Sequence, residues 1–425
     1  MSRLLIVADD LTGANDSVVQ FVKHGMKAAT MLRLPETGCF RKLETGFEVL
    51  AFSTESRNVG PEEAEELISR YVPVLISEFS PRILFKKIDS TLRGNVGVEV
   101  MRLRQYLGGS SIPVLVAPGY PSNRRVVVGG YVLVEGTPLA RTYAGRDALA
   151  PVRTSRVSNL FSRWAQEVGS LELSEFEAGE DAVAKKLSDL LESGKTIVVI
   201  DSLSQSDLDL FVRIARSVTE KALWVGSAGL AQALAGSLGA TLGVQEGNTS
   251  PGPGRFGLKC GGKCLVLYGS LNPAAKAQVQ AVESTPGFRV IHVSRELDAA
   301  GVSREVLDAQ EKVVVVTSFE VRSSLPTDEM AARVKAFFTE IAVNTVGSGG
   351  FSSLILSGGD VARAVLEGLG CQALSVETEV LPGVVFGRVV GGPHAGLGIV
   401  TKAGGFGDRG ALMALIRRIY CQEET

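Results

Sequence analysis

The chain has 425 residues, of which 45% are hydrophobic and 21% charged, and its 44 basic and 46 acidic residues leave a net charge of −2. This composition excludes a disordered protein, and the charge balance excludes the strongly basic surface of a nucleic-acid coat protein. A single hydrophobic core stops growing at roughly 250–300 residues, so the length predicts two domains.

Short apolar runs alternate with helical patterns through the first part of the chain, which predicts a parallel sheet covered by helices on both faces. Strands are predicted at Leu4–Ala8, Ala28–Leu34, Val49–Ser53, Ile83–Lys87, Pro113–Ala117 and Thr196–Asp201. Helices are predicted at Ala14–His24 and Pro61–Val72, and a hairpin at Val126–Val134. A strand–turn–helix unit is predicted at Ala222–Ala235.

The segment 243–262 interrupts this pattern with seven glycines and two prolines and predicts a linker. Beyond it, strands are predicted at Cys264–Tyr268, Val290–Val293, Val313–Thr317, Leu354–Ser357 and Val384–Val390. Helices are predicted at Ala274–Glu283, Glu329–Thr345 and Val361–Leu369, and a last strand–turn–helix unit at Gly398–Tyr420. The sequence therefore predicts an α/β fold of two domains, 1–242 and 263–425, each a mainly parallel sheet flanked by helices.

Glycine and cysteine usage narrow the class of protein further. Residues 1–242 hold 21 glycines, whereas the shorter part 243–425 holds 27, so the two domains are expected to do different chemistry. The five scattered cysteines favour a reducing compartment, and the three histidines match no metal-ligand spacing, so no protein metal site is predicted. Because no signal-peptide pattern and no apolar stretch of about 18 residues is found, we expect a cytoplasmic protein.

Charged side chains follow the predicted strands of the first domain. Residues 9–16 read DDLTGAND after the first strand, and residues 86–95 read KKIDSTLRGN at the end of another. Ligands of open α/β sheets bind outside the carboxyl ends of the strands. Aspartates beside lysine, arginine and serine suit an anionic, polyhydroxylated ligand, and Arg57 offers a fork for a carboxylate.

Three strand–glycine–helix junctions occur in the second domain, at Tyr268–Asn272, Ser357–Asp360 and Ala403–Asp408. Glycine lets the backbone approach a phosphate, and a following helix N-terminus supplies free N–H groups and the positive end of a dipole. The three junctions together predict a nucleotide-phosphate site. Paired with the acid site of the first domain, they predict phosphoryl transfer.

Two familiar nucleotide motifs are excluded. Gly194-Lys195-Thr196 resembles the end of a Walker A motif, but Asp189 stands where the first glycine belongs and a strand follows, so Gly194 is interpreted as a helix stop. Residues 405–410 match the G-x-G-x-x-G spacing of a dinucleotide site. Only fifteen residues follow them, which leaves no second strand with the acidic residue that binds the ribose.

Several of these motifs also resemble those of the four-carbon acid sugar kinase family. The resemblance runs from residue 3 to residue 418 and is carried by ADDLTGANDS, KKIDSTLRGNVG, GSAGLAQAL, YGSLNPAAKAQV, LSGGDVARAVL and LPGVVFGRVVGG with KAGGFGD. It implies an N-terminal sugar-acid domain, a C-terminal ATP domain and phosphorylation of the terminal hydroxyl of a tetronate. The form KKIDSTLRGN is more similar to the D-threonate kinase branch, with D-erythronate and 3-oxo-tetronate kinases as alternatives.

The family resemblance also implies the site residues. Substrate contacts are expected at Asp10, Arg57, Lys87, Ile88, Asp89 and Ser90. Nucleotide contacts are expected at Ser270, Gly358, Gly359, Asp360, Val361, Gly404 and Gly405, where position 361 offers its backbone N–H because this chain has valine in place of threonine. Asp10 is expected to accept the proton of the attacking hydroxyl, with Asp408 and Asp89 as alternatives, and Mg²⁺ to bridge the ATP phosphates.

Two other classes of function stay open from the sequence. One is an NAD-dependent dehydrogenase of the same acid, against which the missing ribose-binding acid weighs. The other is a non-catalytic sensor of sugar acids, which leaves the second anion site without a purpose. Neither a nucleic acid nor a membrane is an expected partner, and a homodimer is left open.

Overall fold

The computed structural model describes residues 3–34, 46–147, 150–241, 262–269, 272–283, 285–293, 297–318, 327–348 and 350–420. The chain forms two compact units. The first consists of Met1–Ala28 and Glu36–Glu246, and the second of Ala29–Pro35 and Gly247–Thr425. Nearly all of the predicted linker 243–262 lies outside the described residues, as does Ser270.

The structure alternates strands and helices along the chain. The strands are β1 (Leu4–Ala8), β2 (Ala28–Met31), β3 (Val49–Ser53), β4 (Ile83–Lys87), β5 (Val114–Ala117), β6 (Arg125–Val128), β7 (Tyr131–Val134), β8 (Thr137–Pro138), β9 (Val168–Leu171), β10 (Ile197–Ile200), β11 (Leu223–Gly226), β12 (Lys263–Tyr268), β13 (Phe288–His292), β14 (Val313–Thr317), β15 (Phe351–Ser357), β16 (Ala373–Leu381), β17 (Val384–Val390) and β18 (Gly398–Lys402). The α-helices are α1 (Leu11–Lys23), α2 (Pro61–Phe79), α3 (Val96–Leu107), α4 (Leu173–Ala178), α5 (Glu180–Glu192), α6 (Gln205–Val218), α7 (Ala228–Thr241), α8 (Pro273–Val282), α9 (Ala299–Asp308), α10 (Thr327–Val346), α11 (Gly359–Gly368) and α12 (Ala411–Tyr420). Short 3₁₀ segments lie at Gly109–Ser111, Pro121–Asn123, Leu139–Arg141, Tyr143–Arg146 and Val157–Glu167.

The first unit is built on a parallel sheet with the strand order β3-β1-β4-β11-β5-β10-β9. Strands β1, β3, β5, β10 and β11 are buried at every position, because helices pack over the sheet. The predicted hairpin is confirmed as β6 and β7, which pair antiparallel and form a separate small sheet with β8.

The second unit has the strand order β13-β14-β12-β15-β18-β17-β16-β2. The first five strands of this order, β13, β14, β12, β15 and β18, pair in parallel. Strand β17 pairs antiparallel with both β18 and β16. The chain just after β2 stays in this unit, where the Leu32 amide donates to the Gln372 carbonyl at 2.9 Å. The predicted α/β fold with mainly parallel sheets is therefore confirmed.

Helix α2 differs from its predicted end at Val72. It continues through Pro73 to Phe79, because the buried face formed by Ile68, Val72, Leu75 and Phe79 keeps the spacing of a helix across the proline. The interpretation of Gly194 is confirmed, since it lies just past α5 with φ +81°. Within the residues described, no helix is both long and apolar enough to cross a membrane.

Candidate functional site

The charged motifs of the first unit meet because their strands are neighbours. Strand β1 lies between β3 and β4, and Ala8 is level with Ser53 on one side and Lys87 on the other. The loops that leave these three strands therefore start at the same edge of the sheet. They bring together two aspartates from residues 9–10, Arg57 and the loop 88–93.

Arg57 is the centre of this cluster. Its Nε and NH2 atoms donate to the two carboxylate oxygens of Asp9 at 3.0 and 2.8 Å, and NH2 also donates to Asp10 Oδ1 at 2.6 Å. Burial alone would lower the pKa of Arg57, but Asp10, Asp9 and Asp89 raise it well above its ordinary value. The fork that the sequence assigned to a substrate carboxylate is thus engaged by Asp9, and NH1 makes no hydrogen bond within the described part of the chain.

Asp10 is the carboxylate of the pair that reaches the surface. It is 8% exposed, compared with 1% for Asp9. As the N-cap of α1, its Oδ1 accepts from the Gly13 amide at 2.9 Å, while Oδ2 accepts from the Thr12 hydroxyl at 2.5 Å. These bonds fix the orientation of the carboxylate at the start of the helix.

Gly13 allows the charged groups to approach one another. A Cβ atom at this position would lie 2.4 Å from Asp10 Oδ1, 3.0 Å from Lys87 Nζ and 3.6 Å from Arg57 NH2. Any side chain at position 13 would therefore occupy the point on which these three groups converge. Sequence reasoning missed this role, because the helix was predicted to begin at Ala14, whereas α1 begins at Leu11 and places Gly13 in its first turn.

Lys87 is a buried lysine whose ammonium has hydrogen-bond donors left unused. It is 4% exposed, and its Nζ donates to the Ile88 carbonyl at 2.9 Å. No carboxylate lies within ion-pair distance of it among the described residues, in contrast to Lys86, whose Nζ lies 3.2 Å from Glu99 Oε2. An ammonium buried in this way needs a further hydrogen-bond acceptor, so Lys87 is suited to an anionic ligand.

The other predicted members of the loop after β4 have distinct surroundings. Ile88 is fully buried, and its amide donates to the Gly226 carbonyl at 2.9 Å, so its side chain packs in the core. Ser90 lies at the edge of the cluster and is 9% exposed. Only Ser90 of this pair offers a hydroxyl to a ligand.

Asp89 is held by its own loop. Its Oδ2 accepts from Thr91 Oγ1 and Arg93 Nε, both at 2.5 Å, and Arg93 NH1 donates to Asp147 Oδ2 at 3.1 Å. Burial alone would raise the pKa of Asp89, but Arg93 and Arg57 hold that pKa well below its usual range. Asp89 is therefore a poor proton acceptor, and sequence reasoning left out the pairing of Arg93 with Asp147.

The glycine junctions of the second unit also meet at one sheet edge. Strands β12, β15 and β18 are parallel neighbours, with Tyr268 level with Ser357 and Ser357 level with Lys402. A Cβ atom at Gly269 would lie 2.3 Å from Val361 Cγ2, so the buried Val361 side chain packs against this turn. Position 361 thus contributes packing through its side chain.

Backbone N–H groups remain free at this edge. Gly358, with φ +108°, precedes α11, whose N-terminus has no side-chain cap, and Asp360 is exposed in its first turn. The amides of Gly404 and Gly405 make no hydrogen bond to any residue that the structure describes. Free amides beside a helix N-terminus fit the phosphates of a nucleotide.

Asp408 belongs to the second unit. It is exposed, and its Oδ1 accepts from the Gly410 amide at 2.9 Å just before α12. The carboxylate of Asp408 thus stabilises the turn in which it lies. In the part of the chain described, no three acidic, histidine or cysteine side chains group as ligands of a metal ion, and Mg²⁺ held through ATP phosphates needs only one or two carboxylates.

Comparisons with known proteins find matches for both parts of the chain. A family model described as a sugar-binding N-terminal domain matches residues 4–234, and one described as a nucleotide-binding C-terminal domain matches residues 265–412. A D-erythronate kinase from Heliobacterium modesticaldum is 33% identical, covering 97% of this chain and 95% of its own. A D-threonate kinase from Bordetella bronchiseptica is 31% identical, covering 97% and 96%.

A solved structure from Haemophilus influenzae shares the fold. It matches with a TM-score of 0.74 at 20% identity and covers 98% of this chain and 100% of its own. The two domain models together span most of the sequence, in the same order as the two sets of strand-end loops. The chain therefore belongs to the four-carbon acid sugar kinase family.

Proposed function

We propose that this protein transfers the terminal phosphoryl group of ATP to the 4-hydroxyl of a four-carbon sugar acid, with D-threonate as the substrate. The observation that carries the proposal is the cluster in which the buried Lys87 ammonium, Asp10 and Arg57 surround the space beside Gly13. A cation with an unfilled hydrogen-bonding capacity next to fixed carboxylates matches a ligand that has one carboxylate and several hydroxyls.

In this proposal the substrate carboxylate binds to Lys87. The Nζ atom has three donors, of which one is used by the Ile88 carbonyl. The free NH1 of Arg57 adds a second donor, while Asp9 holds the guanidinium plane in place. Asp10 and Ser90 are the groups that bind the hydroxyls.

Asp10 is the proposed base for the attacking hydroxyl. Asp89 is less suited, because its depressed pKa makes it a weak acceptor of protons at neutral pH. Asp408 is less suited, because it is exposed and engaged by the Gly410 amide. Asp10 combines a fixed orientation with access to solvent, as a base that positions a hydroxyl requires.

The nucleotide is proposed to bind the second unit through backbone. Gly359, Gly404 and Gly405 present amides at the ends of β15 and β18, with the start of α11 adding its dipole. The Gly358 amide donates to the Lys402 carbonyl at 2.9 Å, so Gly358 is proposed to contribute through the close approach of its backbone in the turn. Mg²⁺ supplies charge neutralisation at the phosphates when bound, and Asp360 is an exposed carboxylate available to it. Ser270 is proposed as a further contact from the sequence motif.

The identity of the acid is tested by ATP consumption against D-threonate, D-erythronate and 3-oxo-tetronate, with NAD reduction followed in parallel. We expect the highest kcat/KM with D-threonate, because KKIDSTLRGN is similar to that branch. A higher kcat/KM with D-erythronate would make D-erythronate the substrate and leave the proposed reaction unchanged. NAD reduction, or acid binding without turnover of any of the three acids, would overturn the kinase proposal in favour of a dehydrogenase or a sensor.

Replacement of Lys87 tests the carboxylate contact. Lys87→Met should raise KM for D-threonate about 10–100-fold, the effect of losing a hydrogen bond to a charged group, and leave KM for ATP unchanged. Lys185→Met is the control, since Lys185 pairs with Asp189 on the exposed face of α5. Steady-state kinetics of both variants give the comparison, and an unchanged KM for D-threonate in Lys87→Met would remove Lys87 from the pocket.

We also propose a cytoplasmic homodimer as the working form. Cys264 and Cys371, the cysteines among the described residues, are buried. The five cysteines scattered through the sequence suit a reducing compartment. Light scattering at several protein concentrations measures the assembly. A mass near twice the 44.9 kDa of one chain is expected, and a concentration-independent mass of one chain would contradict the homodimer.

A further inference from the structure

Three buried side chains lie beneath the loop 403–407 of the second unit. Tyr268, Ser357 and Lys402 are the last residues of β12, β15 and β18 and stand level with one another in the sheet. Lys402 is 1% exposed, and its Nζ lies 5.7 Å from the centre of the Tyr268 ring. The small Ser357 side chain between them leaves room for the lysine to reach across.

These side chains hold the carbonyl groups of the loop. Lys402 Nζ donates to the carbonyls of Ala403 and Gly404 at 3.1 and 3.4 Å. From α8, Gln278 Nε2 donates to the carbonyls of Phe406 and Gly407, both at 3.0 Å. We call Lys402, Gln278 and Tyr268 the carbonyl clamp.

Tyr268 orients the amide of Gln278. Its hydroxyl donates to Gln278 Oε1 at 2.8 Å, which leaves the amide nitrogen of Gln278 directed to the loop. All three members of the carbonyl clamp are nearly inaccessible to solvent. The loop thus rests on side chains that are themselves fixed by packing and hydrogen bonds.

Burying the ammonium of Lys402 costs desolvation free energy that a purely structural contact would not require. Burial lowers its pKa to about 8, and no carboxylate forms an ion pair with it among the described residues. An apolar side chain would fill the same space without this desolvation cost. The ammonium polarises the two carbonyls it contacts, and an anion bound at the amides of the same loop would supply the missing negative charge.

We infer that the carbonyl clamp positions the loop 403–407 so that the amides of Gly404 and Gly405 bind nucleotide phosphates, which makes Lys402 and Gln278 positioning residues. The inference rests on the proposed function. Every carbonyl that the carbonyl clamp holds belongs to the loop, while the amides of Gly404 and Gly405 stay unused within the described structure. Carbonyls held on one side keep the loop from turning its amides away from a phosphate.

Lys402→Met and Gln278→Leu test this inference through the binding of ADP and the kinetics of the full-length enzyme. Each variant should raise KM for ATP and the calorimetric Kd of ADP about tenfold or more, while KM for the sugar acid stays within twofold of wild type. A merely structural role would lower the melting temperature and affect both substrates alike. Combined, the two changes should be less than additive, because both act on one loop.

Lys263→Met is the matched control. Lys263 begins β12, at the end of the strand opposite to the glycine junctions, and it also donates to a backbone carbonyl, that of Ala309. This variant should keep the wild-type Kd of ADP. If Lys402→Met does not fold, Gln278→Leu and Tyr268→Phe provide the test. Tyr268→Phe should raise the Kd of ADP less than Gln278→Leu does, because it removes only the hydroxyl.

Wild-type Kd values of ADP in folded Lys402→Met and Gln278→Leu would overturn the inference. The measurements of ADP binding also distinguish a failure of this inference from a failure of the proposed function. If wild-type enzyme binds ADP but phosphorylates no tetronate, the substrate proposal fails and the inference is still decided by the ADP measurements. If wild-type enzyme binds no adenine nucleotide, both fail.

Discussion

Asp10→Asn is expected to lower kcat about 10²–10⁴-fold, because the amide cannot accept the proton of the attacking hydroxyl. Asparagine caps a helix as well as aspartate does, so the bond from the Gly13 amide should survive and the stability of α1 should be retained. Steady-state kinetics with ATP and D-threonate, together with the melting temperature of the variant, measure the two effects separately.

Asp89→Asn and Asp408→Asn complete this series. The bonds of Asp89 to Arg93 and Thr91 predict a weakened site and a raised KM for the acid rather than loss of the chemical step. Asp408→Asn is expected to have only a small effect on the kinetics, because Asp408 is exposed and accepts a hydrogen bond from an amide of its own turn. Near-normal kcat in Asp10→Asn with a large loss in either of the others would assign the base to that residue.

Arg57→Ala should lower the free energy of unfolding by about 3–5 kcal/mol, the usual result of removing one partner from a buried ion pair. Arg57 is the cation in contact with both Asp9 and Asp10, and its side chain is 14% exposed. Its removal leaves two neighbouring carboxylates facing each other beside α1. Urea unfolding of wild type and variant at pH 7 measures the loss, and KM for the acid should rise as well.

Arg213→Ala is the matched control for this stability effect. Arg213 also forms a bidentate ion pair, with the carboxylate of Glu180, but the side chains of Arg213 and Glu180 are 60% and 57% exposed. An exposed pair of this kind contributes little to stability, because water screens both charges. If Arg57→Ala cost no more than Arg213→Ala, the cluster at Arg57 would not be the buried ion-pair network described above.

The sequence predicted the strands best where they are buried on both faces. Strands β1, β3 and β4 have the bounds that their apolar runs indicated, because they are buried along almost their whole length. Strand β16 was not predicted, although its alternating buried and half-buried residues form the period-2 pattern of a strand with one covered face. The extension of α2 past Pro73 depends on packing that a local rule for proline ignores.

The same distinction holds for the candidate site. The convergence of Asp10, Arg57, Lys87 and Asp89 could be predicted, because the ends of parallel strands share one edge of the sheet. The pairing of Arg57 with Asp9 could not, since it depends on which way adjacent side chains point. The carbonyl clamp could not be predicted either, because Gln278 looks like an ordinary helical residue in the sequence.

The proposed reaction places a phosphoryl group on the terminal hydroxyl of a four-carbon sugar acid. Phosphorus–proton correlation NMR of the product formed from ATP and D-threonate tests it most directly. A new phosphoester is expected, with its phosphorus coupled to the terminal CH₂ protons of the acid. Coupling to a proton at carbon 2 or 3, or ATP hydrolysis without any phosphoester, would contradict it.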